Sequence, residues 1–150
     1  MPQSLHVLGT HIVFSTKERR PSLKSDIRPR VWAYIATVLR NLECDRVIVG
    51  GAEDHVHILC NLTKKHAPIK VMEVVKKDSS KFVKTLAENL KAFHWQDGYG
   101  LFSVSPSHWR AVERYISNQE EHHRKETFQE ELRRILDKYG AKYDERYLWD

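Results

Sequence analysis

Two β-rich runs on either side of a glycine turn constrain this chain more than any other feature. Cys44 to Gly50 (CDRVIVG) leads through Gly51, Ala52, Glu53 and Asp54 into His55 to Leu62 (HVHILCNL). Runs of β-branched and aliphatic residues joined by so short a connection pair as an antiparallel hairpin. Leu5 to Ser15 (LHVLGTHIVFS) has the same character and supplies a first strand, ending at the polar, basic turn Thr16 to Pro21. A last short strand, Leu101 to Val104, follows the turn in which Gly98 and Gly100 bracket Tyr99.

Helical periodicity fills the gaps. Ile27, Val31, Ile35, Val38 and Leu39 predict a helix from Ser25 to Asn41, with Pro29 in its first turn, where a missing N–H costs little. Ile69, Met72, Val75, Phe82, Leu86 and Leu90 mark a second helix over Pro68 to Leu90, long or broken by Asp78, Ser79 and Ser80. A third runs from Pro106 to Glu121 and a fourth from Thr127 to Tyr139, stopped by Gly140. The order strand, helix, hairpin, helix, strand, helices fits an α+β fold: one domain over residues 1–150, an antiparallel sheet with packed helices, a C-terminal helix and an aromatic tail. It does not fit a doubly wound parallel sheet, and no glycine-rich phosphate loop follows any strand.

Composition narrows the class. With 41% hydrophobic and 30% charged residues the chain is not a disordered one. A net charge of +5 suits a polyanionic partner such as nucleic acid. Cys44 and Cys60 form no C-x-x-C pair and read as reduced thiols. No signal peptide and no membrane-length apolar run is visible, so the expectation is a soluble, cytoplasmic protein.

The chemistry-bearing residues fall in two stretches. Side chains alternate across a strand, so His55 and His57 project together while Val56 and Ile58 face the other way. Two imidazoles on a rigid strand are two-thirds of a facial metal site. Glu53 and Asp54 adjoin them and could orient a ring. Further on, RYISNQEEHH places Tyr115 and Gln119 at i, i+4 of a helix. A phenol is a poor nucleophile at neutral pH unless assisted, and a divalent metal on a target phosphate gives that assistance. Gln119 would then be the third ligand beside His55 and His57, a donor set that favours Mg²⁺ or Mn²⁺ over structural zinc. His122 and His123 are consecutive on a helix and diverge, so they read as structural or DNA-proximal. His6 and His11, five apart, face opposite sides of a regular strand and each packs or hydrogen-bonds individually. Lys17, Arg19 and Arg20, and the lysines from Lys70 to Lys91, are either solvated or contact a nucleic-acid backbone.

THIVFSTKERRP, EDHVHIL, DSSKFVK, WQDGYGLFSVS and YISNQEEHHRKETFQEE together resemble the single-tyrosine HUH transposases of small bacterial insertion sequences, the insertion-sequence-200-like transposases. The resemblance runs over nearly the whole chain, and Val56 fills the bulky slot between the two histidines. It implies a ferredoxin-like fold of the HUH endonuclease type, with His55, His57 and Gln119 on a divalent metal and Tyr115 as nucleophile. It implies strand transfer on single-stranded DNA, at hairpin ends of a mobile element, through a 5′-phosphotyrosine. It also implies a homodimer, with the tyrosine helix often docked on the other subunit. Other readings are a rolling-circle initiator or relaxase sharing the site, an idle single-stranded DNA-binding protein, and a metal-dependent hydrolase that uses water.

Overall fold

The computed structural model describes residues 2–119, 121, 125–146 and 148–149. Strands β1 (Gly9–Ser15), β2 (Asp45–Gly51), β3 (His55–Asn61) and β4 (Gly100–Ser103) form one sheet in the order β2-β3-β1-β4, and each neighbouring pair is antiparallel. The expected β2–β3 hairpin is present, with Gly50 opposite His57 and Gly51 opposite Val56. Helices α1 (Arg28–Asn41) and α2 (Pro68–Lys84) follow β1 and β3, which is the split β-α-β plan of a ferredoxin-like fold. Among the described residues, helices α3 (Trp109–Ser117) and α4 (Phe128–Tyr139) follow β4. The fold is α+β, as expected.

Alternation along the strands assigns the two faces of the sheet. Ile12 and Phe14 of β1 and Val56, Ile58 and Cys60 of β3 join Val31, Ile35, Leu39, Val71 and Val75 in the main core, beneath α1 and α2. The opposite face carries His11, Val13, His55, His57 and Leu59. There Val13 packs with Phe128, Leu132 and Ile135 of α4, and Leu59 with Trp109 and Ile116 of α3. Every residue of β1 and β3 is therefore buried, because helices cover both sides. Polar residues on the α3–α4 face are enclosed in an interior rather than exposed to water.

Several boundaries differ from the sequence expectation. The first strand starts at Gly9: Leu5, Val7 and Leu8 are exposed, while the main chain of Leu8 bonds Leu62 and Asn61. The first helix starts at Arg28 rather than Ser25. The second helix is unbroken through Asp78, Ser79 and Ser80 but stops at Lys84, short of Leu90. Ser79 is buried there, its hydroxyl donating to Val75 O at 2.6 Å and accepting from Trp95 Nε1 at 2.9 Å, so its polar group is satisfied within and beside the helix. The lysine-rich face is not uniform either. Lys76 Nζ caps the carbonyls of Gln96, Asp97 and Gly98 at 2.7, 3.1 and 2.6 Å, and burial lowers its pKa to about 8. Since α2 covers the sheet face opposite His55 and His57, its remaining lysines stand away from them. Cys44 and Cys60 are buried, free thiols. Among the described residues no helix is long and apolar enough to cross a membrane.

Gly50 sets how closely α3 approaches the sheet. A Cβ there would lie 2.8 Å from both Ile116 O and Ile116 Cγ2, and the backbone oxygen cannot yield without moving α3. Gly50→Ala is expected to destabilise the protein by about 1–3 kcal/mol, as overpacking does. The readout is a lower thermal midpoint. Gly98→Ala, where nothing lies within 4 Å, is the control and is expected to leave the midpoint in place.

Candidate active site

His55 and His57 point from β3 into the space beneath α3 and α4, and both are essentially unexposed. A ring in such a place needs both nitrogens satisfied. Asp54 Oδ1 meets His55 Nδ1 at 2.7 Å, and His11 Nε2 meets His57 Nδ1 at 2.8 Å with the two rings stacked. With Nδ1 held on each ring, both Nε2 atoms are directed to one point. Glu131 Oε1 stands at that point, 3.3 Å from His55 Nε2 and 2.9 Å from His57 Nε2. Gln119 Oε1 approaches His55 Nε2 at 2.8 Å. Phe128 stacks on the His55 ring at 4.5 Å and closes that side.

The second oxygen of Glu131 faces the tyrosine. The Tyr115 hydroxyl donates a hydrogen bond to Glu131 Oε2, and Gln119 Nε2 donates to the same oxygen at 3.3 Å. Arg134 Nη2 donates to the Tyr115 hydroxyl oxygen at 2.8 Å, and Arg134 is itself held by Glu126 at 2.6 Å. The Tyr115 ring lies edge-on to His57, 5.8 Å between centroids. A cleft of about 470 Å³ opens beside it, lined by His11, His108, Tyr115, Arg134 and Lys138 among others.

Charge in this enclosure follows from the partners. Burial alone would neutralise His55, but hydrogen bonds with Asp54 and Glu131 outweigh it and raise its pKa to about 9. Burial dominates at His57 and keeps it below the ordinary imidazole value. Burial, then the neighbouring His57, lowers His11 to about 3, so His11 is neutral. Burial would raise Glu131, yet its hydrogen bonds with His55 and His57 prevail and hold it well below the usual carboxylate range. Tyr115 is pushed well above the ordinary phenol value, by burial first and the Glu131 charge next, while Arg134 acts the other way. The result is an ionised carboxylate accepting from a neutral phenol.

The residues expected from sequence, His55, His57, Tyr115 and Gln119, thus meet in one place, although not by the expected route. Tyr115 and Gln119 do not share a regular helix: α3 ends at Ser117, and Asn118, with ψ of 20°, turns the chain out of helical geometry. Asp54 orients His55 through its Nδ1. His122 and His123 lie outside the described residues. Two participants were missed. His11 carried no motif. Glu131 carried a weak one, since it falls at the spacing of Phe128, Leu132 and Ile135, and a carboxylate on the buried stripe of an amphipathic helix requires a partner.

The donor set fits a divalent cation. One atom from each of His55, His57 and Glu131 lies within 4.8 Å of the others, and all three residues are buried. Two Nε2 atoms, a carboxylate and the Gln119 amide oxygen make a mixed nitrogen–oxygen set without a thiolate, unlike the cysteine-rich set of a structural zinc site.

Residues 4–119 match the model of the family "Transposase IS200 like". Among solved structures, a candidate transposase from Deinococcus radiodurans R1 is 22% identical, with a TM-score of 0.59 over 79% of this chain and 98% of that one. A REP-associated tyrosine transposase bound to a REP hairpin is 16% identical, with a TM-score of 0.55 over 82% of this chain and 73% of that one. At these identities the two structures speak to the fold alone. No curated protein matches the chain.

Proposed function

The chain belongs to the IS200-like transposase family, and from that premise we propose that it is a tyrosine transposase, cutting and rejoining single-stranded DNA through a covalent Tyr115 intermediate. The observation that carries this reading is the Tyr115 hydroxyl: it is bonded to Glu131, whose other oxygen touches both Nε2 atoms of the histidine pair. A nucleophile and a cation-fitting set share one carboxylate.

In the forward step Tyr115 Oη attacks a scissile phosphorus. The Oη–P bond forms, the bond from phosphorus to the 3′-oxygen breaks, and that oxygen takes a proton from water and leaves as a 3′-hydroxyl. The phenolic proton passes to Glu131 Oε2, the acceptor it already faces. The 5′-phosphotyrosine conserves the ester, so a later attack by a 3′-hydroxyl reverses the exchange and no nucleotide cofactor is required. His55, His57, Glu131 and Gln119 would hold Mg²⁺ or Mn²⁺, with His11 and Asp54 fixing the two rings. When bound, such an ion supplies positive charge to the phosphoryl oxygens. The relative with the REP hairpin favours a structured single strand as partner for this chain too.

The test is a denaturing gel of the full chain with labelled single-stranded oligonucleotides from the DNA flanking its coding region. With Mg²⁺ or Mn²⁺ a covalent protein–DNA band is expected, lost in chelator and lost in Tyr115→Phe. Cleavage that survives Tyr115→Phe would move the assignment to a hydrolase using water. DNA binding with neither cleavage nor adduct would make the protein an idle DNA-binding relative.

A further inference from the structure

Helix α4 begins after the family match ends at residue 119, yet two of its side chains hold the nucleophile. Glu131 takes the phenolic hydrogen bond from one side. Arg134, one turn further along and so on the same face, gives a hydrogen bond to the phenolic oxygen at 2.8 Å from the other. The α4 position is not accidental: Leu132, Ile135 and Leu136 bury its stripe against Val13 and Phe102, and Thr127 and Glu130 close its first turn as a capping box.

We infer that Arg134 is a catalytic residue, stabilising negative charge on Tyr115 Oη; this rests on the tyrosine reading above. A guanidinium that only paired with Glu126 on the surface would have no reason to share its Nη2 with the phenol. Its location also suits phosphate. Arg134, Lys138 and Tyr115 line the same cleft, so a phosphodiester approaching Oη passes both cations. As Oη gives up its proton to Glu131, the oxygen gains charge while it bonds to phosphorus. In the reverse step an attacking 3′-hydroxyl gives its proton to water and bonds to phosphorus, the Oη–P bond breaks, Oη leaves as phenolate, and the proton returns to it from Glu131. Arg134 faces the charged oxygen in both directions, without reorganisation.

The experiment follows adduct formation and its reversal in the full chain. Arg134 is half-exposed and its ion pair with Glu126 is a surface one, so Arg134→Ala is expected to fold normally. Its adduct formation and reversal are expected to slow about 100-fold, as when one donor to a developing oxyanion is lost. Affinity for the same oligonucleotide should stay within about tenfold, the loss of a single phosphate contact. Arg134→Lys, and guanidinium ion added to Arg134→Ala at non-denaturing concentration, should each restore part of the rate. A merely structural arginine would not be replaced by a free ion. Wild-type rates in Arg134→Ala would overturn the inference while leaving Tyr115 as nucleophile. A loss that tracks DNA affinity, with no rescue, would overturn it in favour of a binding role. Persistence of cleavage in Tyr115→Phe would instead remove the parent reading.

Discussion

Glu131→Gln is expected to cut covalent adduct formation about a thousandfold, within the range for loss of a general base. The substitution is nearly isosteric. It keeps an oxygen for the two Nε2 atoms and a polar group for Tyr115, but removes the charge and the capacity to take the phenolic proton. Affinity for Mn²⁺, followed by calorimetric titration, should fall as well, because a neutral amide replaces an anionic donor. The fold should persist. Glu131→Ala is a different experiment. Asp54 still holds His55, but the buried Nε2 atoms, the Gln119 amide and the Tyr115 hydroxyl lose the carboxylate they share, and each buried polar group so deprived costs about 1–3 kcal/mol of stability. Thermal unfolding therefore separates the two variants, and the gel reads the chemistry in the one that folds. An adduct rate in Glu131→Gln equal to wild type would reduce Glu131 to a structural anchor and send the proton elsewhere.

What sequence could and could not reveal about this site follows from how each residue is held. His55 and His57 were legible because strand alternation is rigid: two residues apart means one face, whatever covers it. The hairpin was legible for the same local reason. Tyr115 and Gln119 were linked to them through the family resemblance, and the helix assumed to join them in space is interrupted at Asn118. Their meeting depends on how α3 crosses β2 at Gly50, a packing fact with no local signature. His11 is the clearest case. It reaches His57 because β1 lies beside β3, pairing Val13 with His57 and His11 with Leu59, and neither strand alone encodes that register. Glu131 lay between these extremes. Its charge on the apolar stripe of a helix is a local sign of an enclosed partner that went unread, and only tertiary structure shows which partner it is. The lysines of α2 were open to two readings, a solvated face or a nucleic-acid track, and composition could not show that the α2 stripe commits the helix to the sheet face away from the site.

Mixing two inactive variants is expected to restore nothing. Tyr115→Phe lacks the proposed nucleophile, and His57→Ala lacks half of the histidine pair. If the tyrosine served a partner's site, subunit exchange would reunite an intact Tyr115 with an intact His57 in every mixed dimer. With equal amounts and random pairing about a quarter of all sites would then recover. Within one chain, however, Tyr115 already bonds Glu131, and Glu131 already bonds His55 and His57. The helix that carries it is anchored on that same sheet by Trp109 and Ile116 against Leu59. Each chain thus holds a complete set, and every site in the mixture carries one of the two defects. Adduct yield should remain at the background of the separate variants. A fluorescent label on each variant would verify that chains had exchanged, or that the protein is a monomer, in which case the same null result follows. Recovery near a quarter would show that α3 leaves its own chain during the reaction, and the contacts of Arg134 and Glu131 with Tyr115 would then describe a resting arrangement that opens before cleavage.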